Sequence, residues 1–150
     1  MIPSHAEDAK LLLKAAIRDP NPVIFLEHKA LYRQRVFCAR NEPDQHAITP
    51  LGKAHIVKEG SDLTLVVWGM MVVMGVQVAE RLLQEGISVE VIDLRTIVPL
   101  DIDAIMQSVQ KTGKCLVAHE APLSCGFGAE IAARLAEHAF SYLDAPIMRL

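Results

Sequence analysis

LTLVVWGMMVVMGVQVAERLLQEGISVEVIDL, residues 63–94, decides the fold. Its two ends, 63–68 and 89–94, are short, nearly continuous apolar runs rich in Val, Ile and Leu, the composition of strands buried on both faces. Between them, 71–85 carries its polar side chains Gln77, Glu80, Arg81, Gln84 and Glu85 on one narrow stripe, as a helix packed on most sides does. Gly86 stands where that helix should close. Strand, helix and parallel strand in about 30 residues make a βαβ unit.

Reading outward, the alternation continues. Asp101 follows Pro99 as the N-cap of a helix over 102–111, with Ile102, Ile105, Met106 and Val109 on one face and Gly113 at its close. A strand is expected at 115–119, a helix at 129–140 and a final strand over Pro146-Ile147-Met148-Arg149-Leu150. Ala54-His55-Ile56-Val57 adds an edge strand antiparallel to the others. The expected fold is α/β: three layers, a mostly parallel sheet with helices on both faces.

Upstream, Ser4-His5-Ala6-Glu7 reads as a capping box, with Ser4 as N-cap of a mostly buried helix. Asp19-Pro20-Asn21-Pro22 stops that helix, and Val23-Ile24-Phe25-Leu26 reads as a buried strand of parallel type. Periodicity fails from Lys29 to Pro50, so a linker is placed at 31–50, between an N-terminal piece at 1–30 and a domain at 51–150.

The 15 basic and 18 acidic side chains give a net charge of -3, which offers no positive field for nucleic acid or an anionic membrane. No apolar run approaches the roughly 20 residues that span a bilayer, and no secretory signal is visible. Cys38, Cys115 and Cys125 form no C-x-x-C pair, so three free thiols in a reducing compartment are expected, cytoplasmic or, in a eukaryote, the mitochondrial matrix.

Ligands of open α/β sheets bind beyond the carboxyl ends of the strands, here Gly69-Met70, Asp93-Leu94-Arg95-Thr96 and His119-Glu120. His119 beside Glu120 suggests an acid/base pair, and Gly126-Phe127-Gly128 before a helix suggests an anion site. Adjacent strand residues face opposite sides, however, and a lone G-x-G is weak, so a structural or interface role is preferred. Asp93 and Arg95 read as an ion pair or strand-end anchor. At the end of the first helix, unpaired carbonyls, the negative end of the helix dipole and Asp19 suit a hard cation.

Asp8-Ala9-Lys10, Ala16-Ile17-Arg18-Asp19, Asn21-Pro22-Val23-Ile24, Gly52-Lys53-Ala54 and, most specifically, Val91-Ile92-Asp93-Leu94-Arg95-Thr96-Ile97-Val98-Pro99-Leu100-Asp101 resemble the β subunit of thiamine diphosphate-dependent 2-oxoacid dehydrogenases. His119-Glu120-Ala121-Pro122-Leu123 and Phe25-Leu26-Glu27 are more similar to the branched-chain (2-oxoisovalerate) members than to pyruvate dehydrogenase. The resemblance implies that 1–30 ends a pyrimidine-binding domain and that 51–150 is a transketolase C-terminal-like domain, cut short at its C-terminus with an apolar surface left uncovered. It implies a cofactor site, thiamine diphosphate with magnesium, formed by upstream residues and the α subunit. No catalytic or cofactor-binding residue is therefore assigned to this chain. It also implies a potassium site with Ala16, Ile17, Asp19 and Asn21 at ligand positions, mostly through main-chain carbonyls. Implied partners are an α subunit, a second β subunit and the dihydrolipoyl acyltransferase core, with self-association of the chain alone. Cys125 stands where the family often has glycine, so a local difference is expected there. The rival readings are the matching domain of another thiamine enzyme (pyruvate dehydrogenase β, transketolase or deoxyxylulose phosphate synthase) and a non-catalytic interaction module.

Overall fold

The computed structural model describes residues 1–33 and 42–150; Cys38 and part of the expected linker lie outside them. Helix α1 (Ala6–Arg18) and a 3-10 turn (Lys29–Arg33) precede a sheet domain. That domain runs β1 (His55–Lys58), β2 (Leu63–Val67), α2 (Met70–Gln84), β3 (Val89–Asp93), α3 (Ile102–Thr112), β4 (Cys115–Val117), α4 (Phe127–His138), a 3-10 turn (Phe140–Tyr142) and β5 (Met148–Arg149). The sheet order is β1-β3-β2-β4-β5, with β1 antiparallel to β3 and every other pairing parallel.

Alternate side chains of each strand feed opposite faces. Leu65, Val67, Val89 and Val91 pack under Val72, Val73 and Ala79 of α2. Val66, Ile92 and Val117 pack on the other face, under Ile105 and Val109 of α3 and Ile131 and Leu135 of α4. The three-layer expectation is met. Truncating Ile92 or Ile105, both fully buried, to Ala should cost about 2–5 kcal/mol. The antiparallel edge strand is also present, with a bulge between Ile56 and Lys58 that disrupts a free edge. Asp101 caps α3 by accepting from the Ala104 N–H at 3.4 Å, and Gly113 closes it at φ 70°.

Three local expectations fail. The N-cap of α1 is His5, whose Nδ1 accepts the Glu7 N–H at 3.2 Å, and not Ser4. The Ser4 hydroxyl is turned instead to the buried Asp93 carboxylate, an acceptor that burial makes costly to leave unpaired. Residues 23–26 are not a buried strand. Their backbone makes one parallel bridge to Met1 (Met1 N to Ile24 O, 2.7 Å; Leu26 N to Met1 O, 2.9 Å), and Ile24 is 74% exposed. A strand is stabilised by a ladder, and one bridge just after Pro22 does not make one. Finally, the helices are less enclosed than expected: Leu13 and Ile17 of α1 and Met74, Val78 and Leu83 of α2 are exposed. One face of each packs on the protein and the opposite face meets solvent.

Candidate functional site

The carboxyl ends of β2, β3 and β4 lie side by side, where a ligand crevice would open. Between β2 and β4, side chains of the chain itself fill it. Trp68, just past β2, stacks on His119, just past β4, with ring centroids 5.1 Å apart and 17° between planes. Phe127 meets the same indole edge-on at 6.3 Å. The imidazole is buried, and its Nε2 accepts the Gly128 N–H at 3.3 Å while Nδ1 faces the Ala121 N–H at 3.2 Å. A Cβ at position 128 would lie 2.5 Å from His119 Nε2, and one at 126 would lie 2.7 Å from its Cε1. The G-x-G at the start of α4 therefore leaves room for a histidine ring, and the Gly128 amide is already engaged.

Glu120 points the other way and is exposed, 3.1 Å from His28 Nε2. His119 and Glu120, both past the end of β4, are not brought together.

At the end of β3, Asp93 is fully buried. Its Oδ2 accepts from the Ser4 hydroxyl, and its Oδ1 accepts the Arg95 main-chain N–H at 2.9 Å. Burial pushes this carboxyl up to about 7, against the two hydrogen bonds and with help from the nearby charge of Asp8. Arg95 sits at φ 56° and spreads its guanidinium over three acceptors: Asp8 Oδ1 at 2.7 Å, Lys53 O at 3.0 Å and Ala54 O at 3.2 Å. Its carbonyl accepts the Ile2 N–H at 2.8 Å. Arg95 is thus the expected strand-end anchor, but its ionic partner is Asp8 of α1 and not Asp93. A cavity of about 420 Å³ lies beside it, lined among others by His5, Thr49 and His55. Ser4 reads from sequence as a helix cap and Asp8 carries no site reading, because 89 and 87 residues separate them from their partners. The only sequence signal was that Asp8-Ala9-Lys10 and Asp93-Leu94-Arg95 both fall in stretches that resemble one family.

At the end of α1, the Asp19 N–H reaches Ala15 O at 3.0 Å and Ala16 O at 3.3 Å, so the Ala16 carbonyl is partly engaged. Asp19 Oδ1 accepts from Asn21 N at 2.8 Å and from Asn21 Nδ2 at 3.0 Å. Ile17 is exposed. Asp19 and Asn21 line a cleft of about 480 Å³ with Ile24, Ile97 and Val98; Ala16 and Ile17 do not line it.

In this topology the chain's own aromatic rings pack the strand ends between β2 and β4, and the sheet is clamped to a preceding helix. Residues 52–150 match the family described as transketolase, C-terminal domain, and the chain belongs to that family. Among its relatives are β subunits of two 2-oxoacid dehydrogenases. The chain is 47% identical over 150 residues to 2-oxoisovalerate dehydrogenase subunit beta 2, mitochondrial, of Arabidopsis thaliana, covering all of this chain and 41% of that protein. It is 47% identical over 151 residues to the pyruvate dehydrogenase E1 component subunit beta of Staphylococcus epidermidis, covering all of this chain and 45% of that one. It thus spans less than half of either relative. Among solved structures, a split-gene transketolase described as an inactive beta4 tetramer matches with a TM-score of 0.77 and 25% identity, over 98% of this chain and 45% of that one.

Proposed function

We propose that the intact protein is the β chain of the thiamine diphosphate-dependent decarboxylating component of a branched-chain 2-oxoacid dehydrogenase complex, and that the residues described here serve subunit assembly. The assembly would decarboxylate a branched-chain 2-oxo acid and pass the acyl group to a lipoyl domain. The observation that carries the assembly role is the packing between β2 and β4: the Trp68–His119 stack occupies the ends of these strands, and the Gly128 amide is bound to His119. These residues do not fit a diphosphate cofactor. Thiamine diphosphate and magnesium would be held by the α subunit and by β-chain residues other than these.

Residues 1–30 would be the end of a pyrimidine-binding domain, 31–50 a linker and 51–150 the transketolase C-terminal-like domain. The branched-chain assignment rests on His119-Glu120-Ala121-Pro122-Leu123 and Phe25-Leu26-Glu27. Partners would be the α subunit, a second β subunit and the dihydrolipoyl acyltransferase core. Self-association is supported by exposed Ile24, Leu26, Val98 and Met148, and by the tetrameric state of the split-gene neighbour. No helix among the described residues is long and apolar enough to cross a membrane; the proposed compartment is the cytoplasm, or the mitochondrial matrix in a eukaryote.

Potassium at Ala16, Ile17, Asp19 and Asn21 is part of the same proposal. Asp19 Oδ1 and Ala16 O already accept hydrogen bonds, so these four residues supply a partial ligand set that other atoms must complete. The test of the whole reading is size-exclusion chromatography with light scattering, on the chain alone and mixed with the α subunit of a branched-chain dehydrogenase. A self-associated species that converts to a mixed complex is expected; a monomer indifferent to the α subunit would refute the assembly role.

A further inference from the structure

We propose that two copies of the chain meet through the cleft between the end of α1 and the loop after β3, each seating Val98 in the other's cleft against Ile24 and Leu26. The contact rests on the self-association proposed above and gives it a surface. Val98, at 82%, is the most exposed large apolar side chain among the described residues, and it lines the cleft of about 480 Å³. Ile24 and Leu26, also exposed, line the same cleft. An apolar knob beside an apolar receptacle suits a two-fold contact, in which one patch serves both copies and each feature is used twice.

Much of the polar lining of the cleft is already bonded within the chain. Met1 N donates to Ile24 O at 2.7 Å, and Leu26 N donates to Met1 O at 2.9 Å. Asp19 Oδ1 accepts from Asn21 N and Nδ2, and Thr96 Oγ1 donates to Pro99 O at 3.0 Å. A polar occupant would leave water for few free partners, whereas an aliphatic side chain gives up no hydrogen bond on entry. Charge points to a second copy. In a two-fold contact each charge on the patch is repeated across the axis, so a patch that pairs with itself must be poor in charge. Asp19 is the one ionisable side chain lining this cleft. The groove along Met74 and Val78 carries Glu80 and Arg81, and the cleft on the other side of Val98 carries Glu130 and Arg134, so both of those offer charges to a different partner. The proposed patch is smaller than the roughly 20–30 residues a side of a standard interface, so the pair is weak and forms in proportion to concentration.

Sedimentation velocity of the full chain over a concentration series tests this. The unsubstituted chain should dimerise reversibly. Val98→Asp puts a carboxylate without a partner into an apolar cleft and should weaken the dimer about tenfold or more. Leu26→Lys should do the same from the receptacle side. Both side chains are exposed, so the fold stands in either variant. Mixed together, the two variants should dimerise again, because one of the two contacts then pairs Asp with Lys and the other is unaltered. Val78→Asp, on the exposed face of α2, should leave dimerisation unchanged. A chain that stays monomeric across the series overturns the proposal. So do a dimer that survives Val98→Asp, a mixture that stays monomeric, and an equal loss in Val78→Asp. Each of these strikes the contact and leaves the assembly reading in place, which falls on indifference to the α subunit.

Discussion

Gly128→Ala separates a structural G-x-G from an anion-binding one. Alanine in place of a helical glycine should ordinarily stabilise by up to about 1 kcal/mol. Here the new methyl would sit 2.5 Å from His119 Nε2, 2.8 Å from its Cδ2 and 3.3 Å from Val117 Cγ1. The ring is buried and held against Trp68, so it cannot swing away freely. Overpacking of this kind costs about 1–3 kcal/mol. Loss of the ring stack adds about 0.5–1.5 kcal/mol, and loss of the Gly128 N–H bond adds a similar amount. Net destabilisation of about 1–5 kcal/mol is expected after the helix gain is subtracted. Urea unfolding followed by tryptophan fluorescence measures it, and Trp68, the single tryptophan, reports the stack directly. His119→Ala should absorb part of the penalty in a double-mutant cycle, with a coupling of about 1 kcal/mol or more. If Gly128→Ala is neutral or stabilising and leaves the emission unchanged, the packing argument is wrong.

Cys125 is held at φ 60°, the left-handed region that costs a side chain about 1–2 kcal/mol. Cys125→Gly should raise stability by about 0.5–1 kcal/mol after the larger unfolded-state entropy of glycine is deducted, read as a higher melting temperature. Arg95→Ala leaves the Asp8 carboxylate buried without its partner and should cost about 3–5 kcal/mol; Arg95→Lys, which cannot serve three acceptors at once, should recover only part of it in the same urea assay. Cys125 is exposed and Cys115 is buried, its thiol pushed up to about 12 by burial. Alkylation near neutral pH followed by peptide mapping should therefore modify Cys125 in the folded protein and Cys115 only after unfolding.

The sheet domain was legible because each element carries its own local signal. The runs at 63–68 and 89–94 read as buried strands, Asp101 as a cap and Gly113 as a close, and each is found there. What could not be read was tertiary competition. Ser4 has the right side chain and spacing to cap α1, yet Asp93, far along the chain, takes its hydroxyl. Residues 23–26 have strand composition, but composition does not supply a neighbouring strand. His119 and Glu120 read as a pair in sequence; the turn after β4 parts them, and only the folded chain reveals that the imidazole belongs to Trp68, Phe127 and the glycines at the start of α4. Arg95 was readable as an anchor from its place at a strand end, while the identity of its partner, Asp8, was not.

The central proposal is that these residues support the assembly of a longer β chain while the cofactor is bound elsewhere. The most direct test is isothermal titration of thiamine diphosphate and magnesium into the chain alone and into its mixture with the α subunit. The account predicts no saturable binding by the chain alone. Saturable, stoichiometric binding by the chain alone would contradict it.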